Sequence, residues 1–400
     1  MSVHLNPDTC LACSGCVVHC PVAEATPAFL GPRMIGPAFE RFRLLGIVED
    51  ASLHYCANCK NCEISCPQNV PVATINMLAR LEQCRKTPPS LRDWIVAHGE
   101  LLARTTKYVP ASLRNWALGL SLTRLILDGI GIAKQCPMPS FAKEPFRDHI
   151  QRIDQAQGKV VAFFPGCYTN YYDPQTGFDL VWVLNQAGYR VLVPKDFVCC
   201  GIPLISGGFK DDALANATQN AKVVAELTKA SIPVITTCPS CRLMLTRELA
   251  AFFPTVTKTY GNPNVIDAMD FLARLIASSE LALSPNPPTL SALYHAPCHL
   301  RAQGEGLPGF DLLRYFPSLS ITNLNAGCCG ISGSYGFKKE KYAIGQTIGS
   351  ALFHAVKSSP VSVVASECGT CRLQIAGATG KTCLHPITLV RTLLEGNGVA

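Results

Sequence analysis

The sequence has few charged residues and no long apolar run. Only 16% of its 400 residues are charged and 48% are apolar, a balance that favours a well-packed chain and excludes wholesale disorder. The apolar segment at residues 113–134 is interrupted by charges. Its longest uninterrupted run, residues 117–123, falls far short of the roughly 20 residues that span a bilayer. The sequence therefore predicts no transmembrane helix.

Motifs for organic cofactors are also absent. The chain has no Gly-x-Gly-x-x-Gly after a strand, no Walker loop, no nucleophile elbow and no Cys-x-x-Cys-His haem site. The first residues, MSVHLNPDTC, lack the basic and apolar regions of a secretory signal peptide, so we expect a cytoplasmic protein. These absences argue against a chain that binds its own organic redox substrate.

What the sequence does have is cysteine, at 21 positions. Disulfides do not persist in a reducing cytoplasm, so clustered thiols there indicate metal binding. Residues 10–20 read CLACSGCVVHC and residues 56–66 read CANCKNCEISC, each followed by proline. This Cys-x2-Cys-x2-Cys-x3-Cys-Pro spacing is typical of ferredoxins with two [4Fe–4S] cubanes, in which the fourth cysteine reaches the other cluster. Structural zinc, which needs four thiols in a tetrahedral array, fits this doubled spacing poorly.

The spacing divides these eight cysteines between two predicted clusters. One cluster takes the first three cysteines of the first run and the last of the second: Cys10, Cys13, Cys16 and Cys66. The other takes the first three of the second run and the last of the first: Cys56, Cys59, Cys62 and Cys20.

A second pattern of five cysteines occurs twice, with matching residues offset by 129 to 131 positions. The first set is Cys167, Cys199, Cys200, Cys238 and Cys241, and the second is Cys298, Cys328, Cys329, Cys368 and Cys371. Apolar strand-like runs precede these cysteines and helical segments separate them, so each repeat is predicted as βαβαβα. The cysteines then lie at the carboxyl edge of a parallel sheet, where open α/β sheets place ligands.

Five thiols exceed what one cubane needs. The pattern permits a cluster with an unusual core, a cubane with a spare thiol, or a reactive dithiol. Gly201 and Gly330, which follow the adjacent cysteines, are expected to leave room for backbone to pass close to a bulky cluster. His295 and His299 flank Cys298. Three roles are open for them: bonding a quinone, tuning a cluster through hydrogen bonds, and capping loops.

The segment between the two cysteine patterns is basic. From Arg80 to Arg124 there are eight Lys or Arg against three Asp or Glu, but no nucleic-acid-binding motif. Residues 113–134 have two open interpretations: a packed helix that contacts this chain or a neighbouring protein, and an element at the membrane interface. The leucines do not fall on one face, which favours the packed helix, while Trp116 and its basic surroundings keep the membrane interpretation open. The isolated Cys84 and Cys136 are expected to be unligated.

Taken together, these stretches resemble a known family. The stretches GPRMIGPAFERFRL, CANCKNCEISCP, FFPGCYTNYYDPQTGFDL, CCGIPLISGGF and CCGISGSYGFKKEKY are similar to those of iron–sulfur subunits of the heterodisulfide reductase and glycolate oxidase group. Within that group the length and the GSYGFKKEKY stretch resemble the C subunits of anaerobic glycerol-3-phosphate dehydrogenases. The widely spaced ferredoxin runs resemble the succinate-dehydrogenase type of ferredoxin domain, which is built mainly from helices.

The resemblance implies an iron–sulfur electron-transfer subunit of anaerobic respiration. A flavoprotein subunit would oxidise glycerol 3-phosphate, and this chain would pass the electrons to quinone from a peripheral position on the cytoplasmic side of the inner membrane. The ten repeat cysteines would hold one or two further, non-cubane [4Fe–4S] clusters beside the two cubanes. The alternatives are an iron–sulfur subunit of a glycolate- or lactate-type dehydrogenase and a catalytic subunit like heterodisulfide reductase. No nucleic-acid partner is expected.

The expected fold is α+β, with a mainly helical two-cluster ferredoxin domain followed by tandem α/β cysteine-rich repeats. The predicted divisions are a ferredoxin-type domain at residues 1–86, a helical connector at 87–157, a first repeat at 158–283 and a second at 288–400.

Overall fold

The computed structural model describes residues 6–46, 50–153 and 155–396. Residues 1–5, part of the stretch that bears on a signal peptide, and the predicted outer limits at residues 1 and 400 lie outside this range. Within it, no helix combines the length and the apolar character that crossing a bilayer requires.

The amino-terminal part is helical, and its described residues contain no strand. Its helices are α1 (Gly15–Val18), α2 (Pro21–Ala25), α3 (Phe39–Arg43), α4 (Asn61–Ile64) and α5 (Val72–Lys86), with a π-helical turn at Met34–Ala38 and 3₁₀ turns at Pro7–Thr9 and Ala51–Tyr55. Pro21 begins α2 directly after Cys20, since proline is favoured at the first helical position. The predicted mainly helical ferredoxin domain is confirmed.

Five helices form the connector: α6 (Leu91–Ala97), α7 (Gly99–Thr105), α8 (Ala111–Gly119), α9 (Ser121–Gly129) and α10 (Phe146–Ile150). The apolar segment at 113–134 is therefore two helices, separated at Leu120, whose backbone is extended (φ −65°, ψ 135°). Because the helix axis changes there, its leucines cannot share one face of a single helix. The inner sides of α8 and α9 are half-buried, whereas Trp116, Leu122, Leu125 and Ile126 are exposed.

The first repeat is a four-stranded parallel sheet with helices on its faces. Its strands are β1 (Lys159–Phe163), β2 (Tyr189–Leu192), β3 (Val234–Thr236) and β4 (Val265–Asp267), in the spatial order β2-β1-β3-β4. Its helices are α11 (Gly166–Tyr171), α12 (Pro174–Gln186), α13 (Ile202–Gly207), α14 (Lys210–Lys229), α15 (Pro239–Leu243), α16 (Leu249–Phe252), α17 (Pro254–Tyr260) and α18 (Ala268–Ala277), with a π-helical turn at Met244–Glu248.

The second repeat has the same topology. Its strands are β5 (Leu290–Tyr294), β6 (Leu319–Asn323), β7 (Val363–Ala365) and β8 (Thr382–Leu384), in the order β6-β5-β7-β8 and all parallel. Its helices are α19 (Cys298–Arg301), α20 (Pro308–Leu313), α21 (Lys339–Ser358), α22 (Gly369–Thr379) and α23 (Pro386–Glu395), with a 3₁₀ turn at Tyr335–Phe337.

The tandem α/β repeats are confirmed, but the three-stranded βαβαβα pattern was wrong. Each sheet has a fourth strand, β4 or β8, of only three residues. Strands β3 and β7 are equally short but lie in the middle of their sheets, within apolar runs. Strands β4 and β8 are edge strands that lead directly into α18 and α23, so the sequence pattern did not separate them from those helices.

A continuous apolar core joins the two repeats. Helices α12 and α18 of the first repeat pack against α23 and α20 of the second. At this contact the buried carboxylate of Asp179 accepts hydrogen bonds from Arg391 (3.0 Å) and the hydroxyl of Thr388 (2.6 Å). The buried charge is thus compensated across the contact, and the two repeats hold a fixed orientation.

Candidate iron–sulfur centres

The predicted first ferredoxin group comes together around one hollow. Cys10, Cys13, Cys16 and Cys66 line it, together with Arg33 and apolar side chains. Burial raises the pKa of the Cys16 thiol, and the nearby thiols of the group raise it further. A positive group bound in this hollow would relieve that mutual repulsion.

The predicted second group lines a separate hollow, made by Cys20, Cys56, Cys59 and Cys62. Burial raises the pKa of Cys20 to about 11. Burial also raises the pKa of Cys62 well above its ordinary value, and the neighbouring carboxylate of Glu63 and thiol of Cys59 add to this effect. In each hollow the structure brings together the four cysteines that the spacing assigns to one cluster.

The two ferredoxin loops have the same backbone conformation. Ala12 and Ser14 in the first loop, and Asn58 and Lys60 in the second, all have left-handed φ values between 51° and 65°. In both loops the second of these residues directly precedes a helical turn, α1 or α4. Such backbone costs of the order of 1–2 kcal/mol for a non-glycine residue, so its use at matching positions indicates that the loop must curve around something.

The five cysteines of the first repeat lie at the carboxyl ends of β1, β2 and β3. The sheet order places β1 beside β3, where the chain connections diverge, and this is the position at which open α/β sheets form a crevice. The Sγ atoms of Cys167 and Cys199 are 3.9 Å apart. Hydrogen bonds from Cys199 and Cys241 lower the pKa of the Cys200 thiol to about 6. The group therefore favours a thiolate, the form that ligates metal.

The five cysteines of the second repeat lie at the equivalent ends of β5, β6 and β7. The Sγ atoms of Cys329 and Cys371 are 3.1 Å apart, and the ring of His295 reaches within 4.8 Å of both. Hydrogen bonds from Cys298 and Cys329 lower the pKa of the Cys328 thiol well below its ordinary value. Burial lowers the pKa of His295 to about 4, so its imidazole is neutral at pH 7.

The chemistry of these residues fits iron–sulfur clusters. All 21 cysteines are free thiols, and eighteen of them fall into the four groups described above. Two buried polar groups beside them have no hydrogen-bond partner in the described chain: the side-chain amide of Asn58 and Nε2 of His295. Buried polar atoms without partners are costly, so these two are placed to bond a group held by the thiols.

The four groups are neighbours in a definite order. Burial raises the pKa of Cys20 in the second ferredoxin group, and the charge of Cys16 in the first group raises it further. Burial raises the pKa of Cys59 in that second group, and Cys328 of the second repeat raises it further. A hydrogen bond from Cys241 lowers the pKa of Cys238 in the first repeat, and burial and the charge of Cys368 in the second repeat oppose this. The order is thus first ferredoxin group, second ferredoxin group, second repeat, first repeat.

His299 holds three parts of the chain together. One ring nitrogen contacts the carbonyl oxygen of Asn58 at 2.9 Å, and the other contacts the hydroxyl of Ser240 at 2.8 Å. His299 belongs to the second repeat, Asn58 to a ferredoxin loop and Ser240 to the first repeat. Both nitrogens are engaged, which favours a role in fixing loops over hydrogen bonding to quinone.

The glycines after the adjacent cysteines have surroundings that differ from each other. Gly330 has φ +82°, and a Cβ atom there would overlap the backbone carbonyl of Gly345 in α21. Gly201 has φ +96°, and a Cβ atom there would meet only Ala213 at 3.7 Å. The backbone of α21 therefore passes directly beside Gly330, and the expectation that these glycines let backbone pass close to a cluster stays a prediction.

The remaining residues of interest lie outside the four groups. Cys84 packs against Gly208, and the buried thiol of Cys136 lies beside the carbonyl of Pro137. Glu100, which the sequence analysis did not single out, accepts a hydrogen bond from the backbone N–H of Cys199 at 2.7 Å. It comes from the connector, 99 residues away, and no local sequence pattern marks it.

Comparison with known proteins finds family models for three parts of the chain. Residues 7–70 match the family model of a 4Fe-4S dicluster domain, and residues 161–246 and 292–376 each match that of a cysteine-rich domain. The chain is 38% identical over 399 residues to the C subunit of the anaerobic glycerol-3-phosphate dehydrogenase of Escherichia coli (strain K12), covering 97% of this chain and 98% of that protein.

More distant relatives share part of this organisation. The chain is 28% identical to the B subunit of the fumarate reductase (CoM/CoB) of Methanothermobacter marburgensis, over 96% of this chain and 70% of that protein. It is 26% identical to lactate utilization protein A of Shouchella clausii, over 56% of this chain and 93% of that protein. The first relative is similar enough over its whole length to decide the family, and the predicted resemblance is confirmed: this chain belongs to the family of anaerobic glycerol-3-phosphate dehydrogenase C subunits.

Proposed function

We propose that this chain is the electron-carrying iron–sulfur subunit of a membrane-associated anaerobic glycerol-3-phosphate dehydrogenase. A flavin-bearing partner protein oxidises glycerol 3-phosphate, and this chain conveys the electrons to quinone. The observation that carries the proposal is the unbroken succession of four thiol groups through the molecule. The four groups extend from Cys10 to Cys371, and the 38% identity to a C subunit likewise covers almost the whole chain.

The ligand sets follow from the four groups. Cys10, Cys13, Cys16 and Cys66 hold one cubane, and Cys56, Cys59, Cys62 and Cys20 hold another. The two sets of five repeat cysteines hold one or two further, non-cubane [4Fe–4S] clusters. Bound clusters would supply one-electron redox centres. The protein fixes the separation of the thiols and keeps all of them except Cys13 at least partly buried. The same arrangement supports the domain limits of 1–86, 87–157, 158–283 and 288–400.

The partner flavoprotein contacts the first ferredoxin group. That group lies at one end of the succession, and Cys13 is its most exposed thiol. Leu11, beside it, is 68% exposed, and Val18 is 77% exposed. Exposed apolar side chains around a redox site suit a protein contact that excludes water.

The connector contacts the membrane from the cytoplasmic side. Helices α8 and α9 expose five large apolar side chains: Leu113, Trp116, Leu122, Leu125 and Ile126. Tryptophan favours the membrane–water interface, and exposed cations such as Lys134 attract anionic lipid headgroups. Two short amphipathic helices in this arrangement bind at the surface of the bilayer without crossing it.

The test is anaerobic reconstitution of the chain with its flavoprotein partner. We expect glycerol 3-phosphate to reduce a naphthoquinone only when both proteins are present, while the flavoprotein alone still reduces a dye. Iron and sulfide analysis with paramagnetic resonance should show two ferredoxin-type cubanes, one of which is lost in Cys59→Ser. If Cys329→Ser keeps every iron signal and full electron flow, the assignment of the repeat cysteines is wrong.

The substrate of the partner separates this proposal from its alternative. In a glycolate- or lactate-type dehydrogenase the same chain would receive electrons when a 2-hydroxy acid, and not glycerol 3-phosphate, is supplied. The match to lactate utilization protein A covers only 56% of this chain, which disfavours that alternative. Turnover of a disulfide by the purified chain with an artificial electron donor would instead indicate a catalytic subunit like heterodisulfide reductase.

A further inference from the structure

A cavity of about 300 Å³ lies between the connector and the two repeats. Its connector side is formed by α6 to α9, with Ile95, Leu118 and Leu127 among the lining residues. Its other side is formed by residues of both repeats, including Phe337 and Leu373. This volume lies within the range of small-molecule sites, and the lining, mainly apolar, suits an apolar ring system.

The cavity reaches the thiols at the far end of the succession. Cys167 and Cys199 of the first repeat contribute to its wall. The wall is held in place from the connector side as well, because Glu100 of α7 accepts the hydrogen bond from the backbone N–H of Cys199. A molecule in this cavity would therefore contact the thiol group most distant, along the succession, from the proposed flavoprotein contact.

Two tyrosines give the apolar wall a polar component. Tyr172 donates a hydrogen bond to the carbonyl oxygen of Gly99 at 3.2 Å. The hydroxyl of Tyr168, the other tyrosine in the wall, has no hydrogen-bond partner within the part of the chain that the structure describes. Tyrosines in largely buried positions usually find a partner for this group. One donor therefore remains free for a carbonyl oxygen of a bound molecule.

The helices that close the cavity also form the exposed apolar surface. Leu118 of α8 and Leu127 of α9 line the cavity, and Trp116, Leu122 and Ile126 of the same two helices face outward. A long isoprenoid chain attached to a ring in the cavity could thus leave between apolar side chains and enter lipid. An acceptor with a polar tail would gain nothing from this continuity.

We infer that this cavity is the quinone-reducing site, with the ring beside Tyr168 and the tail directed along α8 and α9. The inference rests on the proposed function, in which quinone is the acceptor. In the overall step the quinone gains two electrons, released by oxidation of the partner's substrate, and two protons from water, and becomes a quinol. The Tyr168 hydroxyl donates a hydrogen bond to one quinone oxygen.

The test compares two tryptophan substitutions in α8 of the reconstituted complex. Leu118→Trp fills the cavity, whereas Ser112→Trp adds the same side chain at an exposed position of the same helix. With a water-soluble naphthoquinone as acceptor, we expect Leu118→Trp to raise the KM about tenfold or more, because the indole occupies space that the ring needs. Ser112→Trp should leave the KM unchanged, and both variants should reduce a flavoprotein-level dye at the normal rate.

Tyr168→Phe tests the hydrogen bond separately. Loss of one neutral hydrogen bond corresponds to about a two- to tenfold fall in kcat/KM for the quinone. The iron content and paramagnetic signals should not change. Since phenylalanine keeps the packing of the ring, an equal fall in dye reduction would show a structural role and count against the inference.

The outcomes separate the site from the function. If Leu118→Trp and Ser112→Trp have the same KM for quinone, the cavity is not the site, although quinone reduction stands. If the wild-type complex reduces the dye and no quinone, the proposed function fails and the inference falls with it. Should Leu118→Trp not fold, photolabelling of the wild-type complex with an azido-naphthoquinone decides. Competed label on peptides containing Tyr168 or Leu118 supports the site, and label elsewhere overturns it.

Discussion

Replacing Gly330 with alanine tests how the Cys-Cys-Gly loop of the second repeat is held. Gly330 has φ +82°, and its added Cβ would overlap the carbonyl oxygen of Gly345 and lie 2.7 Å from the carbonyl carbon. Both obstructing atoms are backbone, so no side-chain rotation relieves the overlap. The loop and α21 approach so closely because Gly345 and Gly349, one turn apart, present no side chain to it.

The magnitude follows from two contributions. A left-handed φ costs an alanine about 1–2 kcal/mol. Overlap with fixed backbone adds roughly 1–3 kcal/mol, as overpacking does in cores. We therefore expect Gly330→Ala to lower the free energy of unfolding by about 2–5 kcal/mol. It should also lower the iron bound per chain, because Cys328 and Cys329 are displaced.

Two other glycines provide matched controls. Gly333 lies in the same loop with φ +61°, and a Cβ atom there would meet nothing within 4 Å. Gly201 occupies the equivalent position to Gly330 in the first repeat and would meet only Ala213 at ordinary contact distance. Alanine at either position should cost only the backbone contribution, about 1–2 kcal/mol.

The assay is urea denaturation of the anaerobically purified chain, followed by circular dichroism, with iron analysis of each variant. The reasoning is refuted if Gly330→Ala is no less stable than Gly333→Ala. Equal effects at Gly330 and Gly201 would show that the two repeats are packed alike, contrary to the difference between α21 and α14.

Three further predictions concern stability. Burial raises the pKa of Asp267, the N-cap of α18, from an ordinary value of 3.8 to about 6, so wild-type stability should fall by about 2–3 kcal/mol as pH rises from 4 to 7. Asp267→Asn should abolish that fall in urea titrations at each pH. Glu248→Gln leaves the buried Lys60 without the carboxylate 2.5 Å away and should cost about 3–5 kcal/mol, whereas Glu305→Gln, in a half-exposed pair, should cost under about 1 kcal/mol. Phe146→Ala removes a fully buried ring and should cost about 3–5 kcal/mol by the same denaturation; a cost below about 1 kcal/mol would contradict its place in the core.

The ferredoxin part could be predicted from sequence because its information is local. Three cysteines within seven residues can wrap only one small object, and the fourth is carried away by the next helical turn. The matching left-handed residues, such as Ser14 and Lys60, could not be predicted, because neither is a glycine or asparagine. The first three strands of each repeat were predicted from apolar runs, whereas β4 and β8 were missed because these edge strands lead directly into helices α18 and α23.

What the sequence could not show is which distant residues meet. Lys60 of a ferredoxin loop pairs with Glu248 of the first repeat, 188 positions away by numbering, and both are almost fully buried. Burial alone would lower the pKa of Lys60, but the attraction of Glu248 and Glu63 outweighs it and raises the pKa. No periodicity or motif indicates such a pair, because within its own segment each residue looks like any charged surface residue.

These long-range contacts explain why the two repeats are not interchangeable. The second repeat contacts the ferredoxin part through His299 and through Lys341, a buried lysine whose ammonium group bonds the carbonyl oxygen of His54 and lies over the ring of Tyr335. The first repeat contacts the ferredoxin part through a different residue, Glu248, which pairs with Lys60. Its thiol group is also held from the connector, where Glu100 accepts a hydrogen bond from the backbone N–H of Cys199. Duplication supplied two similar thiol groups, and the loops around them gave each a different neighbour. The proposed succession of redox sites needs such a difference, because it requires one repeat to pass electrons from the ferredoxin groups and the other to deliver them to the acceptor.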